Sequence, residues 1–180
     1  MARASQQYAN ALYEVAVKED VLEEVKNDFF EVTKAIASVE SFKEFMNNPK
    51  VSIEDRKNVI DATFKDSHRL LLNLLRILTD KHRVSLVDEV YSEFLHLYDE
   101  QHNQARVTVE SVYKLSTEEL DQLGQIFIDK TGYEKLLITN NINEALIGGV
   151  RVLIGSKVYD GSVQNQLEGI RNKFKEHTNS

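Results

Sequence analysis

The sequence predicts an α+β protein, with an N-terminal all-α six-helix bundle over residues 1–104 followed by a small mixed α/β module over residues 105–180. Three observations carry this expectation. Up to about Asn103 apolar residues recur at three- and four-residue steps, the spacing of one helix face. All seven glycines fall at Gly124 or later, so the turn chemistry changes along the chain. Strict apolar/polar alternation begins only at Arg106-Val107-Thr108-Val109, where the period drops to that of a strand.

The elements follow in order. The first helix runs from about Ala4 to Lys18, with Tyr8, Leu12, Val15, Ala11 and Ala16 at helical spacing. The second, about Val21 to Val39, repeats Leu22, Val25, Phe29, Val32 and Ile36. A short third helix is expected to start at a capping box formed by Ser41 and Glu44, and Asn47-Asn48-Pro49 closes it. The fourth spans Ser52 to Phe64, the fifth Ser67 to Thr79, and the sixth Val84 to about Gln101. In the second module, Arg106 to Tyr113 reads as a strand, and Ser116 with Glu119 forms a capping box opening a helix that Gly132 ends. Lys135 to Thr139 is a short apolar strand. Gly149 to Ile154 and Lys157 to Tyr159 flank the hairpin turn Gly155-Ser156. Asp160-Gly161-Ser162 turns into a last helix, capped by Ser162 and running to about Glu176, with Leu167, Ile170 and Phe174 on its apolar face.

The fifth helix raises the functional question. In Arg69-Leu70-Leu71-Leu72-Asn73-Leu74-Leu75-Arg76-Ile77-Leu78 the apolar residues sweep an arc of about 220°. An ordinary surface helix hides a stripe somewhat over ~100° wide. Two readings fit: a central helix wrapped by its neighbours, or a helix with one face in the core and one in a groove. Leaving two or three leucines uncovered forgoes ~1.5 to 3 kcal/mol each, which a partner helix laid in the groove would recover. Ala11 and Ala16 would supply small residues for close approach.

Composition narrows the function classes. A net charge of -7 argues against non-specific nucleic-acid binding, which draws its affinity from Lys and Arg on phosphates. The absence of cysteine excludes a disulfide framework, a thiolate nucleophile and any cysteine-ligated metal. The opening residues carry Glu14, Glu19 and Asp20 and lack the apolar core of a signal peptide, and no run approaches the ~18 apolar residues of a membrane span, so direct membrane insertion is not expected. The glycine-bearing Gly148 to Lys157 lacks phosphate-loop spacing and reads as strand. The histidines show no metal-binding pair, and Asp160 has no second catalytic residue at meaningful spacing. No cofactor, metal or small-molecule substrate is therefore expected.

Three stretches together resemble one family. Tyr8, Ala9, Ala11, Leu12, Tyr13 and Ala16 resemble its opening motif, and the central leucine helix with the following Arg83 is similar to its middle. The run from Ala145 to Leu167 is similar to its C-terminal signature through Leu146, Ile147, Gly148, Gly149, Ile154, Gly155, Asp160, Gly161, Ser162, Val163 and Leu167. The family is the delta subunit of the F-type ATP synthase, whose mitochondrial relative is the oligomycin sensitivity-conferring protein.

The resemblance implies a non-catalytic stator subunit that joins the catalytic head to the peripheral stalk, so that proton flow is coupled to ATP synthesis. It implies that the amphipathic N-terminal segment of an alpha subunit lies between the first and fifth helices. Tyr8, Ala11, Leu12 and Val15 match the first-helix wall, and Leu70, Leu74 and Ile77 are expected to form the facing wall. The C-terminal module would contact the b subunits of the stalk, and the protein would be held through the complex on the cytoplasmic face of a bacterial plasma membrane. A helix-binding adaptor of another assembly is the alternative. Gln164-Asn165-Gln166 departs from the basic residues of many relatives, and Asn143 stands where an aspartate is common.

Overall fold

A computed structural model of the chain describes residues 2–161. The expected helix beginning at Ser162, with Leu167, Ile170 and Phe174, lies outside the described residues. The chain divides into two compact units, Met1–Tyr98 and Asp99–Ser180, and the division falls inside a helix rather than in a linker.

The first unit is helical throughout, with α1 (Ala2–Lys18), α2 (Leu22–Ser38), α3 (Glu40–Asn47), α4 (Ile53–Thr63), α5 (Arg69–Asp80), a 3₁₀ turn at Val84–Leu86, and most of α6 (Val87–Gln101). Its core forms where the apolar stripes converge: Val25, Phe29, Ile60, Leu71, Leu75, Leu78, Val90 and Phe94 are all fully buried. Phe94 meets Phe29 and Tyr13 at ring-centroid distances of 5.9 and 5.6 Å, tilted and edge-on, arrangements that aromatic quadrupoles favour. Across α2 and α6 the Tyr98 hydroxyl donates to the Glu23 carboxylate, and the Lys26 ammonium lies 4.2 Å from the centre of the Tyr98 ring.

Helix ends agree with sequence chemistry in some places and not in others. Ser52 caps α4, its hydroxyl accepting from the Asp55 N–H at 3.0 Å. The capping box expected at Ser41 and Glu44 does not form: extended Val39 occupies the cap position and Ser41 lies inside α3. Packing decides this start, because Phe42 and Met46 must reach the core that also takes Phe64. With no glycine before Gly124, the left-handed positions after α1, α5 and α6 fall to Asp20, His82 and Asn103, with φ of 58°, 54° and 45°.

The second unit holds β1 (Gln104–Ser111), α7 (Thr117–Thr131), β2 (Lys135–Ile142), β3 (Val150–Ile154) and β4 (Lys157–Asp160), with strand order β2-β1-β3-β4. β1 and β2 are parallel, joined by α7 as crossover; β3 lies antiparallel to β1 and forms a hairpin with β4. Alternation along β1 puts Ala105, Val107 and Val109 in a core shared with Val152, Ile154 and Phe127. The capping box of Ser116 and Glu119 forms as expected, and left-handed Gly132 ends α7.

Two strands differ from their sequence reading. β2 continues past Thr139 because the parallel register with β1 runs unbroken to Ser111 opposite Ile142. Asn140 is tolerated there because its side chain serves the turn: it accepts from the Leu115 N–H at 2.8 Å and donates to the Val109 carbonyl at 3.0 Å and the Ser111 hydroxyl at 2.8 Å. β1 stops at Ser111, whose hydroxyl bonds the Tyr113 carbonyl at 2.6 Å and turns the chain away. The last turn of α6 is tied to β1 by Asp99, which accepts from Gln104 Nε2 at 2.7 Å and Arg106 Nε at 2.8 Å. That bracket explains why Asp99 falls in the second unit.

Candidate functional site

Helices α1 and α5 lie side by side in opposite directions. Arg69, first residue of α5, donates to the carboxylate of Glu19, just past the end of α1, at 2.5 Å. At the other end Arg83, beyond α5, donates to the Tyr8 hydroxyl on α1 at 3.3 Å. The two contacts bracket the seam between the two helices, the candidate groove.

The helical repeat sorts the side chains between those ends into three sets. Ala9, Tyr13 and Ala16 on α1, and Leu71, Leu75 and Leu78 on α5, turn into the core. Burial raises the Tyr13 phenol above its ordinary value, with a smaller contribution from Tyr98. Leu12 and Leu74, each 6% exposed, form the floor, and Ala11, Val15 (39% exposed) and Ile77 (46% exposed) line the rim, with Tyr8 and Leu70 half-buried beside them. Leu12 and Leu74, expected as wall residues, are almost fully buried, whereas Val15 and Ile77 stay exposed.

The polar side of α5 is held elsewhere. Arg76 donates to Asp61 of α4 at 2.7 Å, and this hydrogen bond raises the guanidinium above its ordinary value. An apolar groove with polar ends suits the apolar face of an amphipathic helix. Among the described residues no group of three or more His, Asp or Glu side chains could hold a metal ion. Nor, among those residues, is any helix long and apolar enough to cross a membrane.

The signature residues other than Arg83 belong to the second unit. Gly148 and Gly149 lie in the loop between β2 and β3, and Gly155 lies in the β3–β4 turn. Asp160 ends β4, its carboxylate accepting from Arg151 Nε at 3.2 Å, and the Gly161 N–H donates to the Val150 carbonyl at 3.0 Å. Ser162 lies outside the described residues. Asp160 is thus a strand-pairing residue rather than a general base. Asn143 donates from Nδ2 to Glu110 Oε2 at 3.0 Å, a contact an aspartate at this position could not make. Sequence reading did not find Glu19 and Arg69 as the bracket at one groove end; fifty residues separate them and neither sits in a motif.

Comparison with known proteins places the chain in a family. The family model described as ATP synthase delta (OSCP) subunit matches residues 4–174. The ATP synthase subunit delta of Macrococcus caseolyticus is 44% identical over 97% of this chain and 98% of the relative, and that of Staphylococcus carnosus is 42% identical over the same shares. A chain in the Toxoplasma gondii mitochondrial ATP synthase hexamer superposes with a TM-score of 0.77 over 94% of this chain and 96% of its own; at 20% identity this bears on the fold alone. With the family model spanning nearly the whole length and relatives above two-fifths identity, the chain belongs to the ATP synthase delta (OSCP) subunit family.

Proposed function

We propose that the candidate groove between α1 and α5 receives the N-terminal amphipathic helix of an alpha subunit, and that the second unit contacts the b subunits of the peripheral stalk. Membership of the family makes the chain a non-catalytic stator subunit of the F-type ATP synthase, coupling proton translocation to ATP synthesis. On this reading the helices of the first unit act as one bundle that grips the head. The protein is then a peripheral component on the cytoplasmic face of the plasma membrane, held there through its partners.

The observation that supports the head contact is the rim. Ala11, Val15 and Ile77 are exposed along a groove bracketed by Arg69 with Glu19 and by Arg83 with Tyr8. A small residue at Ala11 lets a guest helix approach closely, while Val15 and Ile77 gain burial. The chain contains no cysteine, so Ile77→Cys can carry a single photoreactive group. In the reconstituted complex that group should cross-link to the first residues of an alpha subunit. Cross-linking to another subunit instead would redirect the assignment of the groove.

A further inference from the structure

Arg56 of α4 is 6% exposed, and among the described residues no carboxylate pairs with it. Its guanidinium ties two helix ends instead. Nη2 donates to the carbonyl of Asn48, the C-cap of α3, at 2.6 Å, and Nη1 lies 3.0 Å from Nδ1 of His82, two residues past the end of α5. Nε has no partner among the described residues. The carbonyl ends of α3 and α5 carry partial negative charge, which offsets part of the cost of burying this cation.

A guanidinium can only donate, so His82 Nδ1 accepts and the ring proton sits on Nε2. His82 is also the left-handed residue that ends α5. Its N–H donates to the Thr79 carbonyl at 3.0 Å, and the Arg83 N–H donates to the Leu78 carbonyl at 2.7 Å. The ring is exposed, so bulk pH reaches it, and imidazole changes charge between about pH 5 and 8. A second proton on Nδ1 removes the acceptor and sets a new cation against a buried one. Little around it offsets that charge. Lys57 and the chain neighbours Lys81 and Arg83 are cationic, as is Lys50 in the loop after Asn48. The nearby carboxylates are engaged: Asp80 with Lys57 at 2.6 Å, Asp61 with Arg76 at 2.7 Å and Asp55 with the Ser52 hydroxyl at 2.6 Å, while Glu54 stands in solvent.

We propose that the Arg56–His82 contact is a pH-sensitive latch at the end of α5, which acid opens, loosening the grip of the groove on its guest helix. The link runs through Arg83, the next residue, whose side chain brackets the groove by donating to the Tyr8 hydroxyl. The effect on the guest rests on the reading of the groove as an alpha-subunit site; the latch itself does not.

The test compares the full chain with His82→Asn between about pH 7.5 and 5.5. Asn Oδ1 lies as many bonds from the backbone as His Nδ1, accepts without titrating, and asparagine tolerates the left-handed conformation. Melting temperature reports the latch, and calorimetric titration with the cognate alpha subunit's N-terminal peptide reports the groove. Acid effects common to both chains cancel. Over this range the wild type should lose several degrees more than His82→Asn, and about three- to tenfold more affinity, as the loss of one hydrogen bond implies. Arg56→Met should melt lower at neutral pH and lack the extra acid loss of the wild type; should this core variant fail to fold, the His82→Asn comparison decides alone. Superimposable melting profiles for the wild type and His82→Asn would overturn the latch. A melting difference with parallel affinities would overturn its coupling to the groove. A folded wild-type chain that takes up no peptide at neutral pH would overturn the groove reading, and the melting comparison would still decide the latch.

Discussion

Ala11 sits two residues after the fully buried Ala9 and one before the buried Leu12, yet is itself exposed, because successive positions on a helix turn by about 100°. A charge there costs the isolated fold no packing, only about 0.5–0.7 kcal/mol of helix propensity, but occupies the guest's place. Ala11→Asp is therefore expected to leave the melting temperature within a degree or two and to abolish head binding; unfolding would show that Ala11 is core. Leu74→Ala, at the buried floor, should instead destabilise by about 2 to 5 kcal/mol in a denaturant titration. The apolar arc of α5 was legible in the sequence, but which leucines lie under the rim was not, since that depends on how closely α1 approaches. Glu119 gives a pH test. The Ser116 N–H, then the Tyr113 hydroxyl, hydrogen-bond its carboxylate and hold it below the ordinary value of 4.5. A lowered folded-state value means stability present above about 4.5 and lost as acid protonates the group below it. Part of the acid-induced loss of stability should therefore vanish in Glu119→Gln, as followed by circular dichroism; an unchanged acid profile would mean the capping box adds nothing.

Among the elements, α7 was legible at both ends, whereas α3 was legible at its end, at Asn47 and Asn48, but not at its start. The difference is that Ser116 and Glu119 cap a helix that starts in extended chain, whereas α3 follows α2 after one residue and its start is set by where Phe42 and Met46 must go. The end of α7 at Gly132, with φ of 79°, yields a prediction: Gly132→Ala should cost about 1 to 2 kcal/mol, read from the denaturation midpoint, because a side chain disfavours that conformation. A neutral result would mean that the turn after α7 rearranges. The length of β2 was underestimated because polar Asn140 and Asn141 break its apolar pattern, while the register with β1 continues through them. Asn140 is explained by three hydrogen bonds to groups distant in sequence, which no local pattern announces.

At the scale of the whole molecule the change from helical to strand period located the second unit, but its boundary lies earlier, at Tyr98 and Asp99. Asp99 reads as one more acidic residue on a helix until Gln104 and Arg106 fold back onto it. The candidate groove follows from the surplus of leucine and the small residues of α1 together with the family resemblance; the pairs that bracket it are brought together only by the fold. The central claim is that this groove binds a helix of the alpha subunit, and the most direct measurement is a calorimetric titration of the full chain with a peptide of the cognate alpha subunit's N-terminal segment, repeated with Ala11→Asp. One-to-one binding with a negative heat-capacity change, absent in a folded Ala11→Asp, is the predicted result. A folded wild-type chain that takes up no peptide would contradict the account and leave the leucines of α5 as core alone.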